Sequence, residues 1–266
     1  MQGRQSLVGI GAPWALLLGL AVGLLAGPAA MASQFHPPSA GALRPAQDLE
    51  ALRPDDFSRI YPDGLHFRIL RNGEPIGFHK ARAVHAGDEV TIENHTVMKT
   101  RVFLSLIPYS MEYRAASRWR DGRFVDFQAE VTEQGAKTGI SLLPDGDVLR
   151  LRVGDNLLTL SGDVVPSPHW LSVYIQGAGL LHGVSGEIWD IAYDPEESIR
   201  LHFGNRQVEA RRYALVSAAV KATEWYDSQG RWLAMRFEAP DGSTVDYECV
   251  ECGQPRGITL TQLTGR

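Results

Sequence analysis

The chain has 266 residues, 44% apolar and 21% charged, with 27 Gly, 15 Pro and two Cys. This excludes collagen-like, low-complexity and disulfide-dense proteins. Acidic side chains outnumber basic ones by 31 to 26, so there is no strongly basic surface to attract nucleic acid or an anionic membrane.

Arg4 is the only charge before Ser33, and an apolar run from Ala15 to Leu25 leads into Gly27-Pro28-Ala29-Ala30-Met31-Ala32. A positive start, an apolar centre and small residues at Ala30 and Ala32 describe a secretory signal peptide over 1–32, cleaved between Ala32 and Ser33. The competing reading is a retained anchor, because the uncharged stretch reaches the ~20 residues that span a bilayer. Gly19, Gly23, Gly27 and Pro28 make it a poor permanent helix. The expected location is therefore the bacterial periplasm or the exterior, with no stable membrane span after cleavage. No Cys lies near the cleavage point to carry a lipid.

Residues 33–62 are Pro-rich and without periodicity (Pro37-Pro38, Pro45, Pro54, Pro62), as in a tether or a pinned arm, with at most a helical turn at Gln47–Leu52. A domain over 63–250 follows, and 251–266 is expected to be a tail. From Gly64 the apolar residues alternate with period two between short turn pairs, the pattern of antiparallel strands joined by hairpins. Leu65, Phe67 and Ile69 oppose His66 and Arg68 across the first strand, and Asn72-Gly73 supplies its turn. Val90 to Leu106 is long enough to need a bend or bulge. Met111, Tyr113, Ala115, Ser117 and Trp119 form a dry face against Glu112, Arg114, Arg118 and Arg120; after Asp121-Gly122, Val125, Phe127, Ala129 and Val131 return opposite.

Further strands are expected over 139–143, 148–153, 157–161, 186–193, 199–203, 207–219, 222–227, 232–239 and 244–249. Only Ser167-Pro168-His169-Trp170 breaks the rhythm; Ser at a cap and Pro at the first helical position predict one short helix near 167–175. The fold class is all-β: an antiparallel meander of about a dozen strands forming a strongly curved sheet or barrel, since a flat sheet that wide exposes its edges.

Chemistry is sparse. Cys249-Val250-Glu251-Cys252 is compatible with a local disulfide, half a metal site or a redox pair. The eight His show no metal-ligand spacing, no Gly-x-Ser-x-Gly elbow occurs, and no cofactor motif is present. Glu196-Glu197 is placed in a loop, and the many Arg are expected to form cross-strand ion pairs. His169 stands apart, because the Pro-bracketed insertion can carry it into a barrel mouth. With Trp170, Tyr174, Tyr113 and Trp119 it makes a candidate ligand-binding set, for which catalytic residues are not assigned. The aromatic residues Tyr109, Phe124, Phe127, Trp225, Tyr226, Trp232 and Phe237 would either pack a core or line an apolar cavity.

The runs Phe67–Gly77, Trp119-Arg120-Asp121-Gly122-Arg123, Pro168-His169-Trp170, Glu224-Trp225-Tyr226-Asp227…Gly230-Arg231-Trp232 and Arg236–Ser243 resemble an uncharacterised, domain-of-unknown-function family of exported bacterial β-rich proteins. The resemblance implies a fold and a location and brings no activity. From the signal sequence, the many strands and the aromatic-rich dry faces, the function is expected to be non-catalytic: binding of an apolar or lipid-like molecule or an envelope partner. The alternatives are a hydrolase with its site around His169 and a scaffold offering an edge strand to an envelope complex.

Overall fold

Period-two alternation is realised as one antiparallel sheet. In a computed structural model, which describes residues 54–102, 107–161, 164–167, 169–170, 179–189, 192–203, 206–216 and 221–253, a short 3₁₀ turn at Pro54–Asp56 and the helical turn α1 (Phe57–Ile60) precede the strands. Then come β1 (Leu65–Arg71), β2 (Glu74–Ala86), β3 (Glu89–Val102), β4 (Ile107–Arg120), β5 (Arg123–Glu133), β6 (Ala136–Asp145), β7 (Val148–Val153) and β8 (Asn156–Ser161). The short strands β9 (Val164–Pro166), β10 (Gly179–Leu181) and β11 (Ile188–Trp189) follow. The chain ends in β12 (Ala192–Phe203), β13 (Arg206–Val216), β14 (Lys221–Asp227), β15 (Trp232–Glu238) and β16 (Thr244–Cys252).

Thirteen strands form the main sheet in the order β12-β13-β14-β15-β16-β1-β2-β3-β4-β5-β6-β7-β8, and β11-β10-β9 form a second sheet. Pairing of β16 with β1 joins the two meanders. The main sheet does not close: among the described residues β8 and β12 are its two edges. No helix among the described residues is long and apolar enough to cross a membrane.

A sheet this wide is not filled by its own side chains. The small sheet supplies the rest: Val164, Leu180, Leu181 and Trp189 are buried, and Gly183 presses against the Tyr113 ring so closely that a Cβ there would strike the hydroxyl. The expected dry face of β4 is observed, with Met111, Ala115, Ser117 and Trp119 buried while Arg114, Arg118 and Arg120 are exposed. The inward placing of Val125 is corrected by a register shift, which sets Phe124 opposite Trp119 with the rings 5.4 Å apart. Outside, the expected Arg ion pairs form, among them Arg118–Asp126, Arg68–Glu248 at 2.7 Å and Arg236–Asp246 at 2.6 Å.

One local expectation changes, one open alternative is decided, and one falls mostly outside the described residues. Glu196-Glu197 lies within β12 and not in a loop; a register shift between Pro195 and Ser198 absorbs the proline, which cannot donate to a ladder. The end of the arm is docked: Phe57, Ile60 and Tyr61 are buried, Phe57 meets Trp170 edge-on at 4.9 Å, and the Tyr61 hydroxyl accepts the Trp232 backbone N–H at 2.8 Å. The helical turn of this arm is α1, whereas Gln47–Leu52 lies outside the described residues. In the segment expected to be helical, His169 and Trp170 form a turn; Pro168 and residues 171–178, Tyr174 among them, lie outside the described residues.

Cys249 and Cys252 form a disulfide at the end of β16. Residues three apart in a regular strand point to opposite faces, yet both cysteines are buried. The ladder explains this: Phe67 pairs with Cys249 and His66 with Glu251, so Val250 is an extra residue whose bulge returns Cys252 to the inner face. Leu65 opposite Cys252 is buried as well, so the core extends past residue 250.

Candidate functional site

Strand alternation puts Glu224 and Tyr226, two apart on β14, on one face, and both are fully buried. The Tyr226 hydroxyl lies 2.6 Å from Glu224 Oε2 and 2.7 Å from the carbonyl oxygen of His169. It thereby ties β14 to the turn carrying His169. Glu224 Oε1 is 2.6 Å from His169 Nδ1, and His169 Nε2 is 3.1 Å from Ser167 Oγ. A carboxylate only accepts, so His169 donates its Nδ1–H to Glu224 and keeps the Nε2 lone pair for the Ser167 hydroxyl proton. The imidazole stacks on Trp232 with ring centroids 5.2 Å apart and planes 23° from parallel. Its side chain is 28% exposed while that of Glu224 is 0% exposed, so the relay runs from the protein interior toward solvent. Trp232 Nε1–H is buried and has no partner among the described residues.

A second His, Ser and Glu group has the opposite sense. His182 Nδ1 lies 2.8 Å from Ser185 Oγ, which donates onward to Glu187 Oε2 at 3.1 Å. There the serine proton points at the carboxylate and not at the imidazole, and the group closes the turn between β10 and β11. Burial above all pushes the His182 imidazole down to about 3; its ring stacks on Trp189 at 4.1 Å. His79, 2.8 Å from Thr96 Oγ1 and close to Phe67, Trp232 and Tyr247, is pushed down to about 3 chiefly by burial, then by His169. Among the described residues, no group of His, Cys, Asp or Glu is arranged to hold a metal.

On the outer face of β1 to β5 lies a cleft of about 910 Å³. One cross-strand row of its lining reads Glu251, His66, Lys80, His95, Arg114 and Glu130. The row mixes charges: His95 Nε2 is 2.9 Å from Glu112, which also accepts from Arg114 at 2.6 Å, and these two bonds hold the Glu112 carboxyl below its usual range. Burial, then Lys80, lowers the titration of His66.

The structure separates the candidate set read from sequence. His169 and Trp170 are together at the turn, with Trp170 buried against Phe57. Trp119 is 3% exposed and donates to Ser117 Oγ at 3.2 Å, a packing position. Tyr113 lies under Gly183, and neither Tyr113 nor Trp119 lines the outer cleft. Burial raises the phenol titrations of Tyr113 and Tyr247. The sequence pattern alone does not mark Ser167, Glu224 and Tyr226 as site residues. The available signal was an acid on the dry face of an alternating strand; the 55 residues between His169 and Glu224 hid the pairing.

Residues 67–250 match the family described as "Domain of unknown function (DUF6134)", and the chain belongs to that family. No characterised protein in the curated collection matches. Among solved structures, the chain is similar to a beta-barrel-like protein of domain of unknown function DUF1849 from Brucella abortus, with 9% identity, a TM-score of 0.53, and 74% of this chain and 97% of that one covered. At that identity the likeness concerns the fold alone.

Proposed function

We propose that this is an exported scaffold of the bacterial envelope, which binds an extended segment of a partner protein by adding it to the open edge of β8. The observation that carries this reading is the contrast between the two sheet edges. Edge strands offer unpaired backbone groups, and proteins guard them with charge, proline or bulges. β12 has Asp194, Pro195, Glu196, Glu197 and a register shift. β8, Asn-Leu-Leu-Thr-Leu-Ser, has no charge and no proline, and its Leu157 and Leu158 are 54% and 50% exposed.

The occupant this edge fits is an extended segment with alternating apolar side chains and an acidic flank. Main-chain hydrogen bonds would supply affinity, and Leu158, facing the same way as buried Leu151, would supply apolar contact. Arg152, the exposed cross-strand neighbour of Leu157, would meet the acidic flank. An apolar small-molecule ligand has less support, because Trp119, Phe127 and Trp232 are consumed in packing and the outer cleft is lined by charged groups.

The test places a photo-crosslinking residue at Asn156 in β8 and, separately, at Ser198 in β12, in the full chain expressed in its own host. The expected result is one discrete adduct from position 156 only, lost in Leu158→Lys. A synthetic peptide covering the crosslinked partner segment should then slow hydrogen exchange of the β8 amides. Equal adducts from both edges, no effect of Leu158→Lys, or an adduct of twice the chain mass would overturn the partner reading, the last by assigning the edge to self-association.

A further inference from the structure

The Ser167, His169 and Glu224 relay is more ordered than a turn needs. The turn is already fastened by Ser167 N–H donating to the Leu181 carbonyl at 2.9 Å. That bond requires neither a histidine side chain nor a carboxylate buried behind it. Three features go beyond fastening. The serine proton faces the free lone pair of an imidazole, and the far nitrogen of that imidazole is held by a fully buried carboxylate. The imidazole end reaches solvent. A nucleophile, its base and the group that orients the base are the parts that activate a serine.

We propose that Ser167 is a nucleophile toward carboxylic esters, with His169 as its general base and Glu224 as the positioning residue that holds the imidazole. Ser167 Oγ bonds to the ester carbonyl carbon as its proton moves to His169 Nε2. The carbonyl carbon's bond to the leaving oxygen then breaks, and that oxygen takes the proton from Nε2 and departs as the alcohol. Water, deprotonated by the same nitrogen, attacks the acyl-serine; the acid leaves and Ser167 Oγ recovers its proton. This site is independent of the β8 edge, which lies on a different part of the sheet.

The test treats the folded, disulfide-bonded mature chain with a fluorophosphonate, which modifies activated serines, and follows p-nitrophenyl butyrate hydrolysis in parallel. The expected outcome is a single adduct mapped by peptide mass to Ser167, absent in Ser167→Ala, and slowed at least about 100-fold in His169→Gln, the lower range for loss of a general base. The wild-type labelling rate should rise with pH along a single ionisation. Glu224→Gln is a poor probe because it also disturbs a buried network; Ser167→Ala removes one oxygen from a half-buried turn and should leave the circular dichroism unchanged. Failure of wild-type Ser167 to label, or labelling undiminished in His169→Gln, would overturn the proposal.

Discussion

Replacing Tyr61 by Phe tests whether the arm before β1 is part of the cooperative fold. Tyr61 is 1% exposed, its ring lies 5.1 Å from that of Phe57, and its hydroxyl accepts the backbone N–H of Trp232 at 2.8 Å. That N–H sits where β14 and β15 slip by one residue, so the ladder does not serve it in the regular way. Phenylalanine keeps the ring and removes the acceptor, leaving a buried amide with no partner. Such a loss costs about 1–3 kcal/mol. For a domain of this size about 2 kcal/mol corresponds to a fall in Tm of about 4–8 °C. The assay is urea denaturation of the purified protein followed by tryptophan fluorescence, with the m-value checked for constancy so that the midpoint reports stability alone. Phe57→Ala, which empties a buried aromatic site against Trp170, should cost more, about 3–5 kcal/mol. If both variants lie within about 0.5 kcal/mol of wild type, the arm is not part of the cooperative unit and the docking of Phe57 and Tyr61 is wrong.

Two further predictions concern the core. His79 and His182 are held neutral in the folded state, with titrations near 3, so below pH 6.5 the unfolded chain binds protons that the native chain does not. Stability is then full above about pH 6.5 and falls as pH drops, by about 2 kcal/mol per histidine at pH 5. Denaturation midpoints at pH 7.5 and 5 should differ less in His79→Asn than in wild type, and an unchanged difference would refute the assignment. Gly77 in β2 passes so close to Val97 of β3 that a Cβ there would overlap the Val97 carbonyl oxygen. Gly77→Ala should cost at least about 2 kcal/mol by pushing two backbones apart, whereas Gly73→Ala, with open space around it, meets only the penalty of its positive φ. Thermal melts of the two variants separate these effects, and equal losses would count against the close approach.

Much of the strand order was legible because alternation and turn chemistry are local. Asn72-Gly73 and Asp121-Gly122 adopt the positive φ angles that tight hairpins require, and the dry face of β4 lies where its period put it. Bulges were not legible, because a bulge is chosen by a partner strand. Val125, Val250 and the stretch of chain after Pro195 each change the face on which the succeeding side chains lie, and one residue of slip is enough to do so. The same limit applied to the site. His169 drew attention because it lies in the segment that breaks the rhythm, but the function of its neighbours depended on contacts across 55 residues.

By itself, then, the sequence determined an antiparallel, turn-punctuated all-β chain, for that information is carried by residues two to four apart. Tertiary structure alone decided three things: that the sheet stays open, that a second small sheet fills its interior, and that Ser167, His169 and Glu224 meet. Each is a contact between distant segments, stabilised only when the intervening chain has folded, so no local pattern has to encode it.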